Sequence, residues 1–462
     1  MDSNNNHALK QKLSNRHIQL IALGGAIGTG LFLGLSHTIK LAGPSVLLGY
    51  AIAGIIAFFI MRQLGEMVVE EPVSGSFSHF ANKYWGRMAG FMSGWNYWVL
   101  YVLVSMAELS AIGTFVQFWW PDMPVWITAL FFFVLMNGIN FIHVRFFGEL
   151  EFLFSCVKII AILSMIGFGA YLLLSDSAGA QASVTNLWQI GGFFPNGLEG
   201  LVMAMAFIMF AFGGLELIGI AAAETSNPEK TIPKATNQIV YRILIFYIGA
   251  IGILLCLYPW NQVAAGGSPF VMIFQSLNSH GVANVLNVVV LTAALSVYNS
   301  CIYSNSRMLL GLAEQGNAPQ FLKKVNQRGI PVPALLLSAG VTALCVVINY
   351  LMPQSAFEFL MMLVVAALVI NWLMISVTHL KFRRAMQQQG VNTRFQSWAS
   401  PWTNYLTIAF MFFILIVMSM TEGMRIAVML IPSWLVILCI MYYFNYREKP
   451  VTVSKLPEIV KD

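Results

Sequence analysis

Charge is what this chain has least of. Its 462 residues carry 25 Lys and Arg with 19 Asp and Glu, 10% charged against 58% hydrophobic. Soluble domains carry about 25% charged residues, so a water-soluble globular class is excluded and most of the chain belongs in lipid. Cysteine is nearly as scarce: Cys156, Cys256, Cys301, Cys345 and Cys439 stand singly in apolar stretches. No C-x-x-C or Cys/His spacing occurs, which argues against a disulfide framework and a zinc site. The five read as small buried hydrophobes. An enzyme within the membrane would need a nucleophile–base or metal constellation. His79, His143 and His379 lie near helix ends without such partners, and no metal or cofactor is expected. A receptor would need a signalling domain, and no soluble or low-complexity segment is legible.

What is present is a succession of twelve apolar stretches. They fall near 18–41, 45–69, 88–117, 124–143, 150–175, 195–222, 238–258, 282–310, 333–352, 356–379, 402–420 and 424–445. Each is close to the ~20 residues that a helix needs to cross a bilayer. The expected class is an all-α integral membrane protein with twelve transmembrane helices. The net charge of +6 and pI near 9.0 do not mark a nucleic-acid partner, because their distribution follows topology. With the N-terminus inside, 22 Lys and Arg fall in inner segments, only Lys40 and Arg425 in outer ones, and Lys158 within a span. That asymmetry obeys the positive-inside rule and places both termini in the cytoplasm. The polar start through Arg16 has no short apolar segment with a cleavage site, so the first span is expected to be retained.

Two spans are interrupted by glycines. The first carries Gly24-Gly25-Ala26-Ile27-Gly28-Thr29-Gly30, and the sixth carries Phe210-Ala211-Phe212-Gly213-Gly214. Glycine weakens the helical ladder and frees backbone N–H and C=O groups, tolerated in hydrocarbon only where they line a protein cavity. Matching interruptions in two halves of a chain point to a transporter's binding site. Small-residue helix packing is the plainer reading of Gly28-Thr29-Gly30 with Gly34. A dinucleotide fingerprint is not credible there, since no strand precedes it.

Five spans lie in each group, and five is odd, so the second group enters the membrane in the opposite orientation. The expected architecture is a five-plus-five inverted repeat with discontinuous helices 1 and 6. Residues 1–17 form an N-terminal tail, 18–175 the first repeat (helices 1–5) and 195–379 the second (helices 6–10). Residues 402–445 hold helices 11 and 12, and 446–462 a C-terminal tail. The Asn-Pro and Ile-Pro steps in 224–233 are expected to end helix and start a turn. The stretch Ser304–Pro333, amphipathic and basic, is expected along the inner surface.

Paired breaks suit a zwitterion. Free N–H groups near Gly28, Thr29 and Gly30, with the Thr29 hydroxyl, attract a carboxylate. Carbonyls near Phe210, Ala211 and Gly213 accept from an ammonium, beside aromatic rings. Charges inside spans are costly and usually functional, and the expected set is Glu108, Lys158 and Glu216. An ammonium at the depth of Lys158 must be paired or discharged, which makes it the proton-coupling candidate; its alternative is a fixed ion pair with Glu108 or Glu216. Glu216 is either a bridge between the broken helices or a second proton carrier. Arg62 and Glu66 read as an i, i+4 ion pair, with Glu224 or Lys230 joining as an inner gate. Glu70 and Glu71 read as solvated loop charges. Tyr101 is a pocket or packing residue, and Ser296, Tyr298, Asn299 and Ser300 are interhelical glue or coupling-site groups.

These features resemble the amino acid–polyamine–organocation superfamily, and within it the bacterial amino acid permeases. The resemblance rests on Gly-Gly-Ala-Ile-Gly-Thr-Gly-Leu-Phe at 24–32, Arg-Gln-Leu-Gly-Glu-Met at 62–67 and Pro-Val-Ser-Gly-Ser-Phe at 72–77. Phe-Gly-Gly-Leu-Glu at 212–216 and Asn-Pro-Glu-Lys-Thr-Ile-Pro at 227–233 complete it, and it covers essentially the whole chain. The segments 95–103 and 295–300 are most similar to its aromatic amino acid permeases. The resemblance implies proton-driven import of phenylalanine, tyrosine and tryptophan across a bacterial inner membrane, with no obligate protein partner. Other neutral amino acids, or exchange in place of symport, are the alternative. It implies that the carboxylate meets Thr29 and Gly30 and the ammonium meets carbonyls of Ala26, Phe210 and Gly213. It also implies that Lys158 takes the place of the sodium ion of sodium-coupled relatives. The scarcity of acidic residues in the spans beyond Glu108 and Glu216 argues against a cationic substrate.

Overall fold

The computed structural model describes residues 27–73, 75–141, 144–175, 177, 179, 181–222, 227–263, 267–276 and 280–447. The described residues are helical with connecting turns and contain no strand. Nine helical stretches among them are long and apolar enough to cross a membrane, and Val125–Asn140 and Gly197–Phe210 are shorter apolar helices. Hydrophobicity all round a helix signals burial in protein or lipid. Both occur here: Tyr50, Tyr97, Tyr247, Tyr298 and Trp372 are fully buried, whereas Phe131, Ile160, Val285 and Phe412 are exposed apolar side chains.

The elements that build the centre are α1 (Thr29–Phe32), α2 (Gly34–Ala42), α3 (Val46–Glu70), α4 (Arg87–Gln117), α5 (Val125–Asn140) and α6 (Val144–Leu174). The second half contributes α7 (Gly197–Phe210), α8 (Leu217–Ala221), α9 (Pro228–Arg242), α10 (His280–Glu314) and α11 (Ala356–Gln388), followed by α12 (Trp402–Met420). Helix α4 packs along both α10 and α11, forming a wall on which the interrupted helices rest.

Two local expectations change. Pro228 sits at the first position of α9, where its missing N–H costs nothing, so the Asn-Pro step starts a helix and Pro233 lies inside it. The first part of the Ser304–Pro333 stretch, Ser304–Glu314, continues α10 with Ser304, Asn305, Ser306 and Arg307 buried, and does not lie along a surface. Its polar side chains face other helices. Amphipathicity alone did not distinguish that arrangement from a surface helix.

Candidate functional site

The second glycine run interrupts helix, and the first lies where helix begins, its residues before Ile27 falling outside the described residues. Gly28 is extended (φ −133°, ψ −157°) and caps α1, which runs only to Phe32 before α2 begins at Gly34. Helix α7 ends at Phe210, and residues 211–216 form turns up to α8, with Gly214 at φ +96°. The two segments touch. A Cβ on Gly30 would lie 2.6 Å from the Ala211 Cα and 2.9 Å from its nitrogen, so only glycine permits this approach. Gly28 is held as closely by Val297 and by the Glu108 carboxylate.

The second break is braced from outside. Tyr247 donates its hydroxyl to the Ala211 carbonyl at 2.7 Å, while Arg242 donates to that hydroxyl at 3.3 Å. The Tyr247 ring stacks on Tyr50 and Phe212, with centroids 5.4 and 5.0 Å away. The Phe210 carbonyl accepts from the Gly213 N–H at 3.2 Å.

A cavity of about 30 Å³ opens between the two segments, lined by Gly28, Gly30, Phe210, Ala211 and Gly213 among others. Tyr101, Glu108, Glu216 and Ser300 also line it. Glu108 Oε2 is buried with no hydrogen-bond partner among the described residues, Tyr101 acts on the neighbouring Glu216 carboxylate, and Ser300 acts on Glu151. Buried polar atoms are nearly always satisfied, so the open Glu108 oxygen on this polar wall marks a place for water or a polar ligand. Thr29 donates its hydroxyl to Glu108 Oε1 at 2.8 Å, and Trp372 reaches Glu216 Oε2 at 3.5 Å. Tyr101 packs on Tyr97, ring centroids 4.4 Å apart.

Behind the first segment, Lys158 is fully buried and donates to the Ile27 carbonyl at 3.3 Å and to Ser296 Oγ at 2.9 Å. Ser296 in turn donates to Glu151 Oε1 at 2.7 Å. Glu108 and Glu216, the alternative ion-pair partners of Lys158, line the cavity. Glu151 was absent from the expected set because it lies at the hydropathic edge of its span. Helix α6 begins earlier, at Val144, and carries Glu151 into the interior with no exposure. Asn299 accepts from Asn140 at 2.9 Å. Ala26 and Glu224 lie outside the described residues.

The amino acid permease family's sequence profile matches residues 17–455. The chain belongs to the amino acid permease family. The aromatic amino acid transport protein AroP of Escherichia coli K12 is 64% identical over 447 residues, 97% of each chain. AroP of Salmonella typhimurium LT2 is 65% identical over 434 residues, 94% of this chain and 95% of the relative. A Bacillus subtilis relative named an uncharacterized amino acid permease, YtnA, is 43% identical over 438 residues, 94% of this chain and 95% of its own. This chain is therefore a multi-pass membrane transporter and not an enzyme.

Charges near the C-terminal end of α3 pair differently from the local expectation. Arg62 turns from Glu66 to donate to Asn237 Oδ1 at 3.1 Å and to the Gln396 carbonyl, with its guanidinium 4.0 Å from the Phe395 ring centre. Glu66, fully buried, accepts from Arg383 (2.9 Å), Thr393 (2.6 Å) and the Ser397 N–H (2.7 Å), and bonds His379 Nε2 at 2.9 Å. Partners more than 300 residues away thus displace the i, i+4 pair, and they tie α3 to α11 and the α11–α12 linker. His379 has a buried partner after all. Glu70 accepts from the Arg394 N–H at 2.5 Å. Glu71 is paired with His79 (2.9 Å) and Lys83 (2.6 Å), so the two carboxylates are not free solvated charges. The hydrogen bond from His79, with help from Lys83, holds the Glu71 carboxyl down to about 2.

Proposed function

We propose that this permease imports aromatic amino acids together with protons across the bacterial cytoplasmic membrane. In this reading it crosses the membrane twelve times as a five-plus-five inverted repeat, with both termini in the cytoplasm. The observation that carries the reading is the cavity between two touching backbone segments, Gly28–Gly30 and Phe210–Gly214, walled by the buried polar side chains of Tyr101, Glu108, Glu216 and Ser300. Main-chain groups of the breaks suit the charged ends of an amino acid. Tyr101, Leu100, Val104, Val297 and Leu368 offer an apolar and aromatic wall for its side chain. The relatives named as aromatic amino acid transport proteins match 94% and 97% of the chain.

A space of about 30 Å³ holds roughly one water. Loading an aromatic amino acid therefore requires the walls to part, as alternating access does. The proton coupling of this proposal rests on Lys158, which reaches the main chain of the first interrupted helix at Ile27. An amine that changes charge there is linked to the geometry of the carboxylate-binding break. The proton gradient is the energy source, and no cofactor enters the scheme.

The test of substrate class is a competition panel, with each common amino acid in excess against labelled phenylalanine uptake in cells lacking other aromatic transporters. Phenylalanine, tyrosine and tryptophan are expected to abolish uptake while proline and the branched-chain amino acids leave most of it. Equal inhibition by branched-chain amino acids or proline overturns the aromatic assignment.

A further inference from the structure

The polar path through Lys158 continues past it. Glu151 and Lys158 stand seven residues apart on α6, two turns along one helix face. Ser296 of α10 sits between them, accepting from the Lys158 amine at 2.9 Å and donating to Glu151 Oε1 at 2.7 Å. All three are fully buried. The hydroxyl is thus aligned as acceptor on one side and donor on the other, the geometry of a single-file proton wire.

Beyond Ser296, the Glu151 carboxylate is bordered by Ser300 and Asn299, and Ser155 Oγ is buried with no hydrogen-bond partner among the described residues. The side chains of Ser296, Ser300 and Asn299 act on the Glu151 carboxylate, and Asn299 leads on to Asn140 at the end of α5. The charged groups acting on the amine are Glu151, Arg242 and Glu108; on Glu151 it is Lys158. In the topology proposed above, α6 starts at the cytoplasmic side, so Glu151 lies on the inner side of Lys158.

We propose that Glu151 receives the coupled proton from Lys158 through Ser296 and passes it toward the cytoplasm. The proposal rests on the proton-coupled reading of the preceding section. The step balances: an ammonium proton of Lys158 moves to Ser296 Oγ while the serine hydroxyl proton moves to Glu151 Oε1. A neutral amine, an intact hydroxyl and a carboxylic acid result. One ion pair becomes one neutral pair, so no unpaired charge is left in a low-dielectric interior, where such a charge is most costly. Rotation of the neutral carboxyl group then carries the proton from the Ser296 side to the side bordered by Ser300 and Asn299, where it is released and the carboxylate is restored.

The experiment uses the full chain in proteoliposomes, comparing wild type, Glu151→Gln and Ser296→Ala. Three quantities are read: phenylalanine accumulation under an imposed pH gradient, phenylalanine counterflow at equal pH, and lumenal acidification by an entrapped pH dye. Both variants are expected to lose accumulation and acidification by about tenfold or more while counterflow falls by less than about threefold. Wild-type accumulation and acidification in Glu151→Gln overturns the proposal, as does an equal loss of counterflow, which would make Glu151 a structural residue. If Glu151→Gln does not reach the membrane, Ser296→Ala decides by the same criteria. A wild-type protein that ignores the gradient overturns the proton-coupled reading itself, which separates the two failures.

Discussion

Tyr247→Phe removes one oxygen and tests whether the second helix break is held in its working shape from outside. The phenylalanine ring keeps the stack on Tyr50 and Phe212. What disappears is the 2.7 Å hydrogen bond to the Ala211 carbonyl, with the 3.3 Å contact from Arg242. Ala211 is buried, and its carbonyl belongs to a turn in which the helical ladder supplies fewer donors. Leaving a buried acceptor without its partner costs about 1–3 kcal/mol. At 1.4 kcal/mol per factor of ten, that spans roughly 5- to 150-fold in the population of the braced geometry. Because the break supplies main-chain carbonyls to the proposed ammonium site, the expected result is a rise of about tenfold in the KM for phenylalanine, with maximal rate per transporter less affected. Initial-rate uptake at graded concentrations, normalised to membrane-inserted protein, measures it. A KM within about twofold of wild type at equal expression would show that Tyr247 does not shape the site.

Three further outcomes follow from particular contacts. Gly30→Ala places a methyl 2.6 Å from the Ala211 Cα, so the two segments must separate; a cost of about 1–3 kcal/mol and loss of uptake with protein still in the membrane are expected, checked by transport and surface labelling. Glu66→Ala leaves Arg383, Thr393, the Ser397 N–H and His379 without their buried carboxylate; a loss of about 3–5 kcal/mol, visible as earlier thermal aggregation in detergent, is expected. Glu71, held at about 2 against an ordinary 4.5, stabilises the folded protein fully above about 4.5, and the contribution fades as pH falls toward 2. The melting gap between wild type and Glu71→Gln is therefore expected to be widest near neutrality and to narrow below pH 4, and a pH-independent gap would contradict the pairing.

The break after Phe210 is legible because glycine acts locally: its effect on the helical ladder is written in the residues themselves. Its contact with the first glycine run is not, since nothing in residues 28–30 or 210–214 states that Gly30 lies against Ala211. The Glu66 cluster shows the same limit more sharply. A four-residue spacing favours Arg62 as partner by a few tenths of a kcal/mol. Arg383, Thr393 and His379 offer a buried carboxylate several charge-assisted bonds, and these outweigh that preference. Their positions depend on how α11 and its linker fold back on α3. Glu151 was missed for a different reason: helix α6 starts earlier than its apolar stretch, so a hydropathic boundary placed a buried residue at a membrane edge. With Glu151 and Glu66 both buried, the sparse-acid argument against cationic substrates loses its premise, and substrate class rests on the cavity wall and the relatives.

The account stands most directly on one measurement: labelled phenylalanine uptake into proteoliposomes of the purified chain with the lumen made alkaline. The account predicts accumulation above equilibrium that collapses when a protonophore is added and is lost in Lys158→Met. Uptake that requires preloaded internal amino acid and ignores the pH gradient would contradict it and make the protein an exchanger.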